Sequence, residues 1–364
     1  MKIKKLQIKN FKSLVDFELE DLKPFCAFVG PNASGKSNIF EALEFLNFLI
    51  KYGSEAPGFF GGKQSVYSYF PTIVKSNVGT ADHPMLFDMR FADGLHVNFV
   101  AGFAQSESRF GTVGTSGNPT NEISPLFSSD INDLGKRNSF IRNWIEGGYD
   151  YEGDFEQFAD NFSRIFINKQ ELRKTPAISS RLSLDASNLP QVIGFVFEDA
   201  QKRADFTDWV RLLIPEFERI EVRKSNLDGS YDFLLYEKSS RKPFPRNLIS
   251  DGTKSILALM AAVFQTEEPQ FLCIEEPENG LHPQAIELLI DFFREKCEEE
   301  GHYIWLNTHS PTLVRCMEID EIILVNKVDG VTHAKQMTKA DEVNIKTDEA
   351  WLTNALGGGV LWSK

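Results

Sequence analysis

Apolar and polar side chains alternate or run together in short segments at the start of the chain. Residues 2–9 and 14–19 alternate apolar with polar positions, which predicts two strands. Residues 25–29 are all apolar, as in a strand buried on both faces, and a glycine-rich turn separates them from a helical pattern over residues 39–50. This order is typical of an α/β domain.

From residue 250 onward, strand and helix patterns alternate. Residues 252–265 are apolar on nearly all sides, which predicts a buried helix. Residues 284–300 form an amphipathic helix that stops at Gly301. Short apolar strands are predicted at residues 271–274, 303–306 and 322–325. The two ends of the chain are therefore expected to form one α/β domain.

Patterns in the middle of the chain are weaker and contain more loop. Residues 53–82 and 104–135 are rich in small and polar residues, which predicts loops. Hairpins are predicted through residues 86–91 and 95–100 around Asp93-Gly94 and through residues 219–237 around Asp228-Gly229, and helices over residues 155–167 and 196–213. We therefore divide the chain into a core of residues 1–52 and 245–337, an inserted strand–helix lobe of residues 53–244 and a C-terminal tail of residues 338–364.

Composition and charge narrow the classes of partner. Of 364 residues, 42% are hydrophobic, enough for a sizeable core, and the net charge of −13 argues against a surface built for nucleic acid or an acidic membrane. Basic clusters over residues 2–12 and 238–246 leave DNA binding open. The four cysteines form no CxxC pair and no apolar run reaches ~18 residues, so we expect a reduced cytoplasmic protein without a membrane partner.

The glycine-rich turn carries the first chemical motif. Residues Gly30–Ser37 fit GxxxxGK[ST] between a buried strand and a helix, a context that argues against a chance match. Backbone N–H groups of such a loop point at phosphates, Lys36 is expected to reach the β- and γ-phosphates, and the Ser37 hydroxyl is expected to bind Mg²⁺. The nucleotide-binding residues predicted here are Asn32, Ala33, Ser34, Gly35, Lys36, Ser37 and Asn38, with ATP and Mg²⁺ as cofactors.

A second motif follows the predicted strand at residues 271–274. The strand ends in two carboxylates, of which Glu275 can hold Mg²⁺ and Glu276 can polarise an attacking water. Acidic pairs after strands are common, so the neighbouring segments matter: residues 279–283 follow directly, and residues 307–311, which include His309, follow the next strand.

A third segment, residues 248–254, opens the predicted buried helix. Ser250 or Asp251 can cap this helix, whose free N–H groups form a second anion site. Taken singly, a plain N-cap for Ser250 and a surface-loop position for His309 are equally good interpretations. Taken in order along the chain, the segments describe one nucleotide site.

This order of motifs resembles that of the ABC-type ATPases. A Walker A loop, a signature-like Ser-Asp-Gly, a Walker B strand with Glu-Pro, a D-loop-like segment and a switch histidine follow one another. Residues 275–283, Glu-Glu-Pro-Glu-Asn-Gly-Leu-His-Pro, resemble more narrowly the ATPase domains of the overcoming-lysogenization-defect (OLD) family and their stand-alone relatives, and residues 8–13 are similar to the start of RecF and SMC heads. The resemblance covers residues 1–50 and 245–315 and implies an ABC-type P-loop ATPase head, a mixed α/β sheet with flanking helices, carrying an inserted lobe.

The resemblance also implies roles for individual residues. Glu275, with Ser37, takes the Walker B position at the metal, Glu276 is the catalytic carboxylate, and His309 contacts the γ-phosphate. In these families two heads enclose two nucleotides, which implies a homodimer or a higher even oligomer. The residues implied to contact the γ-phosphate bound to the opposite subunit are Ser250, Asp251 and Gly252.

The chain departs from the wider ABC pattern in three places. Glu275 stands where Asp is usual, and the signature reads Ser-Asp-Gly-Thr rather than Ser-Gly-Gly-Gln. The usual Q-loop glutamine is not placed, with Gln64 and Gln105 as its only candidates.

Several classes of protein share parts of this pattern. A transporter subunit usually has a shorter chain and a closer signature, and an SMC head needs a long coiled coil between Lys36 and Ser250, where no heptads occur. OLD nucleases carry a Toprim domain after the ATPase, and the residues after His309 are too few for one, so a stand-alone ATPase is expected.

Two functions are carried forward. The first is a dimerising, ATP-hydrolysing switch or sensor that controls a separately encoded effector, a nuclease or toxin, in anti-phage defence; this role is implied by the resemblance alone. The second is a non-transport ABC-type ATPase acting directly on DNA in repair or maintenance. A switch that binds ATP without hydrolysis is a further alternative, which the presence of both Walker B carboxylates disfavours. The effector is expected to contact residues 53–248 or the tail around Trp351, Leu352 and Trp362, although docking of this tail back on its own domain is the more ordinary interpretation of its tryptophans.

Overall fold

The computed structural model describes residues 3–71, 85–91, 96–103, 110–116, 160–167, 181–226, 229–341 and 346–353. Its strands are β1 (Ile3–Phe11), β2 (Leu14–Glu20), β3 (Phe25–Val29), β4 (Met85–Phe91), β5 (His96–Phe103), β6 (Phe110–Ser116), β7 (Phe162–Ile165), β8 (Phe217–Lys224), β9 (Tyr231–Glu237), β10 (Phe244–Pro245), β11 (Phe271–Glu275), β12 (Tyr303–Thr308), β13 (Ile322–Val328) and β14 (Val331–Gln336). Its α-helices are α1 (Lys36–Tyr52), α2 (Lys63–Tyr67), α3 (Leu189–Val196), α4 (Ala200–Leu213), α5 (Asp251–Phe264), α6 (Pro283–Glu299), α7 (Pro311–Arg315) and α8 (Thr347–Leu352).

A six-stranded sheet carries the glycine-rich loop at the end of one of its central strands. Its order is β14-β13-β3-β12-β11-β7, and every pair is parallel except β13 with β14. All residues of β3, β11 and β12 are buried, as their unbroken apolar runs predict for parallel strands covered on both faces.

Two antiparallel sheets complete the strands that the structure describes. One has the order β2-β1-β4-β5-β6 and the other the order β10-β9-β8. Strands from the predicted insertion therefore join the sheet begun by β1 and β2, and β7 joins the parallel sheet. The division of the chain at residues 52 and 245 stays a prediction.

Alternate residues of the parallel strands enter two separate cores. Phe25, Ala27 and Val29 of β3 pack in a core with α3, α4, α5 and α6. Cys26 and Phe28 point the other way, into a core shared with α1 and the five-stranded sheet. Helix α5 is buried from Ser255 to Phe264, as its apolar composition predicts. No helix of the described residues is long and apolar enough to cross a membrane.

Most predicted elements near the two ends of the chain are confirmed, and those in the middle less so. The strands at residues 2–9, 14–19, 25–29, 271–274, 303–306 and 322–325, the helices at residues 39–50, 252–265 and 284–300, and the pairings of both hairpins are found. Residues 92–95 and 227–228, in the two predicted turns, lie outside the described part of the chain.

Three predictions for the middle of the chain need correction, and the tail follows its more ordinary interpretation. The helix over residues 155–167 is wrong because Phe162–Ile165 form β7; buried on both faces beside β11, this strand shows no period that would identify it. The predicted loops contain α2 and β6, and the helix predicted at residues 196–213 begins only at Ala200, with Asp199 as its N-cap. In the tail, α8 packs its Trp351 into the main core, while Trp362 lies outside the described residues.

Candidate nucleotide site

The loop of residues 30–35, between β3 and α1, is closely packed against β13 and β14. A Cβ at Gly30 would lie 2.1 Å from the Val325 carbonyl oxygen, and a Cβ at Gly35 would lie 2.0 Å from Thr332 Oγ1. Gly35 also has a φ of 102°, and Ala33 has a φ of 62°. Both glycines are therefore needed for the loop to approach its neighbours and turn back toward the helix.

Polar side chains hold the same loop from outside. Thr332 Oγ1 donates to the Ser34 carbonyl over 3.0 Å and lies 2.6 Å from Ser13 Oγ. Asn38 Nδ2 donates to Ser13 Oγ over 2.7 Å, and the Asn38 N–H donates to the Gly35 carbonyl over 3.0 Å. Asn38 thus hydrogen-bonds both to the loop and to a side chain that supports it. Its contact with nucleotide stays a prediction.

Lys36 places its ammonium group inside the loop. Its Nζ donates to the Gly30 carbonyl over 2.7 Å and to the Pro31 carbonyl over 2.8 Å. Burial lowers the pKa of Lys36 to about 8, although the negative charges of Glu276, Glu278 and Glu275 act to raise it. The ammonium group of Lys36 is thus poorly solvated and lies near three acidic side chains.

Ser37 and Glu275 meet at the edge where β3 and β11 end. Ser37 Oγ donates to Glu275 Oε2 over 2.6 Å, and Asn307 Nδ2 donates to the same oxygen over 3.1 Å. A hydroxyl and a carboxylate oxygen so close together are the ligand types that Mg²⁺ prefers. The two residues predicted to hold the metal therefore fit it by chemistry and by position.

Arg164 of β7 is a partner of Glu275 that the sequence analysis did not find. Its Nε donates to Glu275 Oε1 over 2.6 Å, its Nη2 contacts the same oxygen, and its Nη1 donates to Glu44 Oε2 over 2.8 Å. Burial of the guanidinium lowers the pKa of Arg164, but the charges of Glu44 and Glu275 outweigh this and raise it overall. Both oxygens of Glu275 are thus fixed by hydrogen bonds.

Glu276 and His309 face each other across the ends of β11 and β12. His309 Nδ1 lies 3.4 Å from Glu276 Oε1, and Asn279 Nδ2 donates to Glu276 Oε2 over 2.8 Å. The Glu276 backbone has a φ of 48° and is held there by its N–H, which donates to the Asn307 carbonyl over 3.0 Å. A strained backbone held by its neighbours is typical of a functional position. Both side chains are partly exposed, 27% for Glu276 and 42% for His309, so a ligand can reach them.

Ser250 is the N-cap of α5, as its ordinary interpretation predicts. Its Oγ accepts from the Thr253 N–H over 3.1 Å, and Asp251 is exposed in the first turn. A Cβ at Gly252 would lie 2.4 Å from the Gly280 carbonyl oxygen, so the start of α5 packs directly on the D-loop-like turn. Within the described residues, no hydrogen bond or ion pair joins residues 250–252 to residues 30–38.

The structure thus brings most predicted site residues together. Lys36, Ser37, Glu275, Glu276 and His309 share one edge of the parallel sheet, whereas residues 250–252 form a separate surface. Of the two Q-loop candidates, Gln64 is exposed on α2 and Gln105 lies outside the described residues. The catalytic and binding roles of these residues stay predictions.

Comparisons with known proteins agree with this geometry. A family model described as "AAA domain, putative AbiEii toxin, Type IV TA system" matches residues 25–315. The chain is 24% identical to the OLD nuclease of Thermus scotoductus over 354 residues, covering 89% of this chain and 62% of that protein. It is 21% identical to an ATP/GTP phosphatase of Helicobacter pylori over 345 residues, covering 87% of each chain. The chain thus spans less than two thirds of the length of the OLD nuclease that it matches.

A solved structure shows the same fold. The SMC head bound to the C-winged helix domain of ScpA matches with a TM-score of 0.52 and 16% identity, over 93% of this chain and 98% of that one. The chain therefore has the fold of an ABC-type P-loop ATPase head, as its motifs predict.

Replacing Arg164 by Met should destabilise the protein, because Glu44 and Glu275 would stay buried without a compensating charge. We expect the free energy of unfolding, from urea denaturation, to fall by about 3–5 kcal/mol. Arg211→Met is the matched control, since Arg211 is exposed, forms an ion pair with Asp208 at 2.9 Å and donates to the Glu218 carbonyl over 3.4 Å. A change of roughly 0.5 kcal/mol or less is expected there. Equal losses in the two variants would contradict a special role for the Arg164 network.

Proposed function

The chain belongs to the AAA domain family that its matching model defines, within the OLD-like, RecF- and SMC-related ABC-type ATPases, and we propose on that premise that it binds ATP with Mg²⁺ and hydrolyses it. The observation that carries this proposal is the pairing of Glu276 with His309 beside the loop that holds Lys36. A carboxylate and an imidazole thus lie near Lys36, in the loop proposed to bind phosphate.

Binding is proposed to use the loop and its lysine. The N–H groups of residues 32–37 and the start of α1 favour a triphosphate because the helix N-terminus is positive. Lys36 exchanges the carbonyls of Gly30 and Pro31 for phosphate oxygens, which are stronger acceptors for an ammonium group. Ser37 and Glu275 would hold Mg²⁺, which supplies charge neutralisation on the phosphates.

Hydrolysis is proposed to use Glu276 as the group that orients water. Water adds to the γ-phosphorus, the bond to the β-phosphate oxygen breaks, and the proton of the water passes to the Glu276 carboxylate. His309, whose Nδ1 lies 3.4 Å from that carboxylate, is proposed to donate to a γ-phosphate oxygen as charge develops. Asn279 and the Asn307 carbonyl keep Glu276 oriented for this step.

A second copy of the chain is proposed to complete the site. Ser250, Asp251 and Gly252 lie at the N-terminus of α5, and within the described residues no hydrogen bond or ion pair joins them to their own loop. Free N–H groups at such an end bind anions. The γ-phosphate held by the partner subunit is therefore the proposed ligand of this surface.

Binding and hydrolysis should separate in two variants. Glu276→Gln should bind ATP normally and hydrolyse it about 10²–10⁴-fold more slowly, because the amide cannot accept the proton of the water. Lys36→Ala should weaken ATP binding itself, because the loop loses its cation. Fluorescent-nucleotide titration measures the first property and phosphate release the second. Wild-type turnover by Glu276→Gln would exclude Glu276 as the catalytic carboxylate.

A composite site should show complementation between two inactive variants. Ser250→Arg and Lys36→Ala are each expected to lack turnover. In an equimolar mixture, half the dimers are mixed and each has one intact site of two, so about a quarter of the wild-type rate should return. The control mixture is Lys36→Ala with the Lys36→Ala/Ser250→Arg double variant, which cannot form an intact site. No recovery at high concentration of folded proteins would contradict the dimer.

The nucleotide cycle is further proposed to control a separately encoded effector, a nuclease or toxin, in anti-phage defence. A partner that prefers one nucleotide state must shift the ATPase equilibrium, and the ATPase must shift the partner's in return. Because Trp351 is packed in the core, the tail is not proposed as the docking surface, and residues 53–248 take that place.

Co-expression with the adjacent reading frame tests this control. The amount of the neighbour that co-purifies with wild type should depend on ATP. Glu276→Gln should change the amount of this complex, because the variant binds ATP and hydrolyses it slowly. A chain that purifies alone in every nucleotide state and itself cleaves DNA would instead support direct action on DNA.

A further inference from the structure

Glu278 is a buried carboxyl group beside the proposed active site, and it has no part in the proposed hydrolysis. It lies in the turn after β11, two residues beyond Glu276, and only 8% of its surface is exposed. Its Oε1 accepts a hydrogen bond from the Thr308 hydroxyl, and its buried Oε2 has no hydrogen-bond partner among the described residues. Burying a carboxyl group in this way costs free energy, so its presence calls for a reason.

Thr308 connects this carboxyl group to the turn that carries His309. Thr308 is the last residue of β12 and is fully buried. Its Oγ1 donates to Glu278 and accepts from the Ser310 N–H over 2.9 Å. The two hydrogen bonds therefore hold Thr308 and Ser310, the residues directly before and after His309.

The same pair of segments carries the proposed catalytic pair. Glu276 lies on the segment after β11 and His309 on the segment after β12, 3.4 Å apart. One backbone bond, from the Glu276 N–H to the Asn307 carbonyl at 3.0 Å, ties the segments before the pair. The Glu278–Thr308 bond ties them again, two residues after Glu276 and one residue before His309, so two bonds fix how closely the segments that carry the pair approach each other.

The surroundings of Glu278 disfavour its charged form relative to that of an exposed carboxyl group. Burial raises the pKa of Glu278 above its ordinary value, and the charge of Glu276 adds to this, while the Thr308 hydrogen bond and His309 act to lower it. Lys36 is a further charged group that interacts with it. A neutral acid keeps the acceptor that Thr308 needs, and an amide would keep it too.

We propose that Glu278 is a positioning residue that sets the contact between Glu276 and His309 through Thr308, acting as a hydrogen-bond acceptor and not as a base. The proposal rests on the proposed function for its effect on turnover. Its structural part, the placement of His309, stands without it.

Four variants test the proposal by two independent measurements. Glu278→Gln and Thr308→Ser keep the hydrogen bond, whereas Glu278→Ala and Thr308→Val remove it. The first measurement is the imidazole resonance of His309 in histidine-labelled protein, which contains six histidines and is assigned with His309→Gln. The resonance should move in the two variants that break the bond and stay near its wild-type position in the two that keep it.

The second measurement is the rate of ATP hydrolysis. Misplacement of a catalytic group by about 1 Å can cost on the order of 10²-fold in rate, so Glu278→Ala and Thr308→Val should lower kcat about 10–100-fold with KM nearly unchanged. The double variant should be no slower than either single one, because both remove the same bond. Glu278→Gln should stay within about threefold of wild type, as expected for an acceptor that need not ionise.

Any one of three other results would overturn the proposal. An unchanged His309 resonance in Glu278→Ala would show that Glu278 does not position His309. A loss of turnover in Glu278→Gln as large as in Glu276→Gln would show that Glu278 acts as a base. Normal turnover in Glu278→Ala removes the link to catalysis. If wild type hydrolyses no ATP, the proposed function fails, and the His309 resonance alone decides the positioning.

Discussion

The register of three parallel strands is the constraint on which the candidate site depends. Glu275 at the end of β11 lies opposite Asn307 of β12, and Thr308 of β12 lies opposite Val29 of β3. The glycine-rich loop, the two carboxylates and the switch histidine therefore leave the sheet at one edge. A slip of one residue would turn each side chain to the opposite face and disperse the site.

This edge concentrates charge in a poorly solvated place, and the structure tolerates that because each charge has a defined partner. Arg164 lies between Glu44 and Glu275, and Lys36 is held by loop carbonyls. Such networks contribute little net stability compared with apolar packing, but removing one member is costly. The apolar cores on both faces of the sheet supply the stability that lets the edge remain polar.

The sequence was sufficient for elements with a strong local pattern and for residues in a motif. The strand–loop–helix around Lys36 and the alternating elements after residue 250 follow from apolar runs and caps, and the structure has them. Strand β7 was missed because four residues buried on both faces show no period, and its Arg164 was missed with it. A basic residue inside a short apolar segment was the one available signal. The partners of Glu278 and the contact of Gly252 with Gly280 come from distant parts of the chain, which no local pattern encodes.

The contact between Gly252 and Gly280 has a mechanical consequence. The first turn of α5 and the turn after Glu276 touch backbone to backbone, with no side chain between them to yield. A shift of the first turn of α5 would therefore be passed on directly to the turn after Glu276. Asn279, which hydrogen-bonds to Glu276, lies next to Gly280 in that turn. In a paired assembly, the surface proposed to meet the partner's nucleotide and the turn that holds Glu276 would therefore move as one rigid unit.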